Sequence, residues 1–326
     1  MNERSTVETR PLLDRRVTGR ASGVELGPLF CFLAVAFGLA WALFLLPLAL
    51  GLPDGQTRQT ATLIAWSLAM WAPGIGALVA TRFVAREPLR TLALGRLGPR
   101  RAYLFAWALP TVAAITVGIL TALLGAGHLD LEFTVIRDAL AQAPGGEAMA
   151  PAVLVAIQIA FAFTLAPLIN TIPALGEELG WRGFLLPRLL PVGQMRAILL
   201  SGVIWGIWHA PVILQGHNYP TQPVLGVFLM IVFCVLSGTI LSWLYLWTRS
   251  PWAPALCHGA INATAGLSLL FVRDVDPVLG GTAASLIGWI PLAAIVAWLI
   301  LTHRLPVLET EADTSVVARE ARIAAA

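Results

Sequence analysis

The chain has 326 residues, 58 % hydrophobic and 12 % charged, with a mean hydropathy of +0.79 and a net charge of +3. A soluble domain is about a quarter charged, so this composition excludes a soluble globular enzyme and points to a polytopic membrane protein. The basic balance is not a nucleic-acid signal: all 21 basic side chains are arginines, lying in short segments between apolar runs rather than along one stripe.

In chain order, residues 1–26 form a polar, arginine-bearing tail. The apolar run that follows is too long and starts too late for a cleaved signal peptide, and reads as a retained first span. A spanning helix needs about 20 mainly apolar residues. Eight stretches meet that need: Pro28–Leu50, Ala61–Val84, Ala102–Gly125, Pro151–Ile172, Ala197–Leu214, Val224–Trp247, Trp252–Val272 and Thr282–Thr302. The expected fold is therefore an all-α polytopic integral membrane bundle of about eight transmembrane helices. A membrane domain spans residues 27–304, and a second polar tail covers 305–326.

The arginines orient this bundle. With the N-terminus in the cytoplasm, Arg4, Arg10, Arg15, Arg16, Arg20, Arg82, Arg86, Arg90, Arg96, Arg100, Arg101, Arg182, Arg188, Arg196, Arg249, Arg304, Arg319 and Arg322 lie inside, and Arg58, Arg137 and Arg273 outside. Eighteen against three is the bias that retains positive loops in the cytoplasm. Both termini are then cytoplasmic. The lack of lysine, with abundant alanine and glycine, suggests a GC-rich bacterial genome, hence a bacterial inner membrane. Cys31, Cys234 and Cys257 sit singly in apolar runs and give no disulfide or metal pattern.

Ionisable groups in apolar spans are costly and mark functional sites. Three clusters stand out: Glu177, Glu178 and Arg182 after the fourth expected span; His209, one turn after Trp205, late in the fifth; and His258 with Asn262 early in the seventh. Glu178 and Arg182 are four apart with the acid first, the favourable order for a helical pair. His258 and Asn262 share the same spacing, so both can face one cavity. A carboxylate can act as general base towards water, a histidine can hold that water, and a histidine with an asparagine amide can donate to an oxyanion. A two-histidine, one-carboxylate metal site from Glu177, His209 and His258, holding a divalent ion such as zinc, is the alternative. It is not favoured, because an asparagine amide suits hydrogen bonding better than ligation. The sequence has no HExxH, GxSxG or P-loop motif, and its aspartates in the membrane domain all fall in expected external loops.

In this order, Glu177-Glu178-Leu-Gly-Trp-Arg182, Trp205-Gly-Ile-Trp-His209 and His258-Gly-Ala-Ile-Asn262 resemble the EExxxR, FxxxH and HxxxN motifs of the CPBP family of intramembrane proteases. This family comprises CAAX-prenyl endopeptidase, bacteriocin-processing and abortive-infection proteins. The resemblance covers about residues 150–270. Trp205 departs from it, standing where phenylalanine is usual. The resemblance implies Glu177 as general base acting with His209, His258 and Asn262 as oxyanion donors, and Glu178 and Arg182 as supports. It implies a peptidase acting on a membrane-associated peptide or protein, with the lipid bilayer as its other partner. The first motif is then expected at the cytoplasmic end of the fourth span, with the cavity opening inward. The alternative is a non-catalytic membrane scaffold or bacteriocin self-immunity protein.

Overall fold

The computed structural model describes residues 24–143 and 149–307. The two expected tails fall almost wholly outside these residues, as do the arginines assigned to them. The described chain is helical apart from one pair of two-residue strands, β1 (His128–Leu129) and β2 (Val272–Arg273), paired antiparallel with His128 opposite Arg273.

Among the described residues, four helices are long and apolar enough to cross a membrane. They are α1 (Leu26–Ala49); α2 (Gln56–Ala69), which continues through α3 (Ala72–Val79) to Val84; α4 (Arg101–Leu123); and, further along the chain, a 26-residue helix, Pro223–Thr248. Between α4 and that last helix lie α5 (Thr134–Gln142), α6 (Pro151–Phe163), α7 (Leu165–Gly180), α8 (Leu186–Leu189), α9 (Gln194–Trp208) and α10 (Ala210–Leu214). The 26-residue helix is thus α11, and α12 (Trp252–Thr264) and α13 (Trp289–Leu301) follow it. The segment from α6 through Val192 would make a fifth span, but it is bent by 48° at Thr164.

The other expected spans are built differently. The stretch Ala197–Leu214 is divided between α9 and α10 at His209, where Pro211 enters the first turn of α10. The seventh and eighth stretches hold helices of only 13 residues, α12 and α13. At 1.5 Å per residue each is about 20 Å long, shorter than a hydrocarbon layer of about 30 Å. Broken or short helices are tolerated at membrane depth where protein or a polar cavity surrounds them. This holds for α12, which packs between α4, α7 and α11 and buries Ala253, Ala255, Cys257, His258 and Ala260.

The bundle has two ends, each tied together by side chains. At one end Arg188 binds Glu87 at 2.7 Å, Ser250 donates to the Arg96 carbonyl, and Trp252 donates to the Leu94 carbonyl. At the other, Tyr219 donates to the Ala284 carbonyl, Gln215 donates to the Phe44 carbonyl, and the β1–β2 pair links the segments after α4 and α12. The first end carries Arg82, Arg86, Arg90, Arg96, Arg100, Arg101, Arg188, Arg196, Arg249 and Arg304. Among the described residues the second carries only Arg58, Arg137 and Arg273, which pair with Asp54, Glu132 and Asp274. Arg182 belongs to neither face. Its side chain is fully buried, which corrects its expected place in a cytoplasmic loop.

Close backbone crossings seat the inner helices. A Cβ on Gly180 of α7 would lie 2.6 Å from the Pro73 carbonyl carbon of α3, and one on Gly176 would lie 2.7 Å from the Met70 oxygen. On α9, Gly206 lies against Ile231 of α11; on α12, Gly259 lies against the Pro167 carbonyl of α7. Small residues are the usual means by which membrane helices approach this closely. Gly180→Ala must push α7 off α3, and overpacking of this kind costs about 1–3 kcal/mol. Thermal unfolding of the detergent-solubilised protein should show a clearly lowered midpoint, and an unchanged midpoint contradicts the crossing.

Candidate active site

Glu177 and Glu178 do not follow a span, as the sequence suggested. They lie inside α7, in the last turn before a widened π-turn, Trp181–Leu185. A widened turn of this type often accompanies functional residues. Consecutive helical positions diverge by about 100°, so the two carboxylates take different surroundings.

Glu178 is fully buried and accepts from Arg182 Nη1 at 2.9 Å. The same Oε1 faces His258 Nδ1 at 2.9 Å, which ties α7 to α12. A carboxylate can only accept, so Nδ1 carries the proton and His258 turns its Nε2 side away from Glu178. The Arg182 guanidinium lies 4.6 Å from the Trp205 ring centroid in a cation–π contact. Room for it depends on Gly238 of α11, where a Cβ would stand 2.9 Å from Nη2.

Glu177, 2 % exposed, has two indole donors on Oε2: Trp205 at 2.7 Å and Trp181 at 3.3 Å. Oε1 is left for the cavity. Trp205 is therefore more than an aromatic wall in the place of phenylalanine, because its N–H orients Glu177 from another helix. His209 places Nδ1 2.9 Å from the Trp205 carbonyl oxygen. That oxygen can only accept, so Nδ1 is the protonated nitrogen and Nε2 is free to accept in the neutral ring. The His209 ring stands perpendicular to Trp208, with centroids 4.9 Å apart.

Glu177, Trp205, His209, His258 and Asn262 all line one cavity of about 590 Å³. Glu178 and Arg182 stand behind it. Asn170 of α7 also lines this cavity, two turns before Glu177 on the same face. Sequence reading passed over it because its neighbours offer no partner motif, although its seven-residue spacing from Glu177 was there to find. The same is true of Trp181, which sits four residues after Glu177.

The cavity does not open towards the arginine-rich end. Glu178, Trp181, Arg182, Phe184 and Leu185 close that side and are all fully buried. The lining continues instead through Phe44, Trp66, Val212, His217 and Asn218 to the arginine-poor end. The cavity lining and the arginine-rich segments therefore lie towards opposite ends of the bundle, whereas the inward-opening expectation placed them together. The sequence placed the first motif at a helix exit, whereas the π-turn after it folds into a plug.

A metal ion was the alternative use of Glu177, His209 and His258. Among the described residues, no three His, Cys, Asp or Glu side chains stand close enough to hold one. Glu177, His209 and His258 do not form such a group in this arrangement, and no metal-dependent step is derived from them.

The geometry defines a class: an all-helical, multi-pass membrane protein with a carboxylate–histidine site on its short inner helices. Residues 158–264, the stretch that carries all three motifs, match the family model described as type II CAAX prenyl endopeptidase Rce1-like. This part of the chain is similar to Rce1-like domains, consistent with the CPBP family, a family of CAAX-type intramembrane peptidases. No curated relative matches closely enough to carry a more particular activity across.

Two substitutions test this geometry. Trp205→Phe keeps the ring but leaves Glu177 one donor short. A hydrogen bond to a charged group contributes about 1.5–3 kcal/mol, so the unfolding midpoint should fall. Arg182→Leu leaves a buried carboxylate without its charge partner, a loss of about 3–5 kcal/mol. It should cost more stability than Trp205→Phe in the same denaturation assay. Equal stability of all three proteins contradicts the bonding described.

Proposed function

We propose that the protein is an intramembrane endopeptidase that hydrolyses a peptide bond of a membrane-associated substrate with water activated by Glu177. The single observation behind this reading is that two indole N–H groups hold Glu177 Oε2, leaving Oε1 at a cavity that also contains His209, His258 and Asn262.

Water sits between Glu177 and His209 Nε2, which accepts its second hydrogen. Glu177 takes a proton from this water as the oxygen adds to the scissile carbonyl carbon. The carbonyl oxygen becomes an oxyanion, for which the Asn262 amide and His258, as an imidazolium with Nδ1–H on Glu178 and Nε2–H towards the cavity, act as donors. Glu177 then passes its proton to the departing amine nitrogen as the C–N bond breaks, which restores the starting carboxylate. Glu178 and Arg182 do not touch the reacting atoms; Glu178 positions His258, and Arg182 balances the buried charge.

The substrate is a membrane-associated peptide or protein. The cavity wall, with Phe44, Trp66, Trp208, Met230 and Phe233, favours apolar side chains. The host membrane in this proposal is the bacterial inner membrane, with both termini cytoplasmic.

The test is cleavage of membrane-anchored peptides by the purified protein in liposomes. Glu177→Gln preserves shape and removes the base, so cleavage should fall by about 10²-fold or more, as expected for loss of general base catalysis. Chelator should leave the wild-type rate unchanged. Loss of cleavage on chelation, with recovery on adding zinc, overturns the metal-free mechanism. Biological activity that survives Glu177→Gln favours the scaffold or self-immunity alternative.

A further inference from the structure

We infer that the catalytic cavity is entered from the extracytoplasmic side of the membrane. Its substrate is then a polypeptide segment exposed on that side rather than a cytoplasmic tail. The identity of the occupant rests on the peptidase reading above; the direction of access does not.

Two independent features lead here. The first is charge. The end defined by the Arg188–Glu87 pair and the Ser250–Arg96 bond carries ten arginines against the acids Glu25 and Glu87 among the described residues. The opposite end carries three arginines, each paired, against Asp54, Asp130, Glu132, Asp138, Asp274 and Asp276. Positive segments are retained in the cytoplasm, and the rule depends on arginine and lysine rather than on net charge. The first end is cytoplasmic by this criterion, and the second faces away.

The second feature is the direction of the cavity. Exposure rises steadily along it: Glu177 is 2 % exposed and His258 5 %, His209 is half-buried, and Asn262, His217 and Asn218 are exposed. His217 and Asn218 lie between α10 and α11, in the cluster of segments held by the Tyr219–Ala284 and Gln215–Phe44 bonds at the arginine-poor end. Towards the cytoplasm, the buried Glu178–Arg182 pair and the packed side chains of Trp181, Phe184 and Leu185 leave no passage. A substrate entering from the arginine-rich face would have to displace a buried ion pair, whose disruption costs about 3–5 kcal/mol.

The experiment is cysteine labelling of the full-length protein in the cells that produce it, with a membrane-impermeant maleimide. Cys31→Ser is the background, since Cys234 and Cys257 are buried. Asn218→Cys reports the cavity mouth and Arg100→Cys the arginine-rich end. Asn262→Cys, probed with a small impermeant methanethiosulfonate, reports the cavity itself. Asn218→Cys and Asn262→Cys should react in intact cells, whereas Arg100→Cys should react only after the membrane is opened. Labelling of Arg100→Cys in intact cells, with Asn218→Cys protected until the membrane is opened, overturns the inferred orientation. Labelling of Asn218→Cys but not Asn262→Cys in intact cells overturns the direction of the cavity. None of these readouts requires cleavage, so an inactive protein would refute the peptidase reading while leaving the access result standing.

Discussion

The burial of Glu178 constrains everything around it. A carboxylate removed from water inside a membrane protein persists only with compensating charge and hydrogen bonds. Arg182 supplies the charge from one turn further along α7, and His258 supplies a donor from α12. That pairing fixes how α7 and α12 meet. It also sets requirements on neighbours that carry no charge: Gly238 must lack a side chain to admit the guanidinium, and Trp205 must offer its ring face to it. Once Trp205 is held there, its N–H reaches Glu177 and its carbonyl takes His209 Nδ1. One buried ion pair thereby orients Glu177 and His209, the two groups proposed to act on water.

The helices bearing these residues are seated by glycines beside the polar positions themselves. Gly176 precedes Glu177, Gly206 follows Trp205, and Gly259 follows His258, each at a backbone crossing with no space for a Cβ. Hydrogen-bonded groups on different helices are held only as well as the helices are held to each other. Placing the tightest contact next to the functional side chain limits the error that packing can transmit to it. The long helices α1, α4 and α11 surround this assembly, and so the inner helices can be short or interrupted where they carry the site.

The same arrangement gives the molecule a direction. One end of the cavity is stopped by the ion pair and the π-turn side chains behind it, and the other is lined by aromatic and polar groups leading outwards. The water activation proposed for Glu177 would suit hydrolysis in an apolar setting at such a closed end, since a peptide and a few waters could reach it without opening the whole bundle.

The apolar composition and the spacing of hydrophobic runs determined a helical membrane protein, because a backbone without water to bond must satisfy itself within each helix. They overestimated how many runs become long helices. Hydropathy cannot tell an apolar segment facing lipid from one facing protein, and Pro211, Thr164 and the segment after Thr264 interrupt runs that composition alone joins. The sequence also singled out Glu177, Glu178, Arg182, Trp205, His209, His258 and Asn262, since polar groups in apolar runs are visible without coordinates. Spacing predicted the Glu178–Arg182 pair because helical neighbours four apart must meet. It could not predict that Trp205 donates to Glu177 across 28 positions, that His258 reaches Glu178 across 80, or towards which end the cavity opens. Those depend on which helices touch and how closely. Only the tertiary structure decides that, through small residues at crossings whose significance appears only when the partner helix is in place.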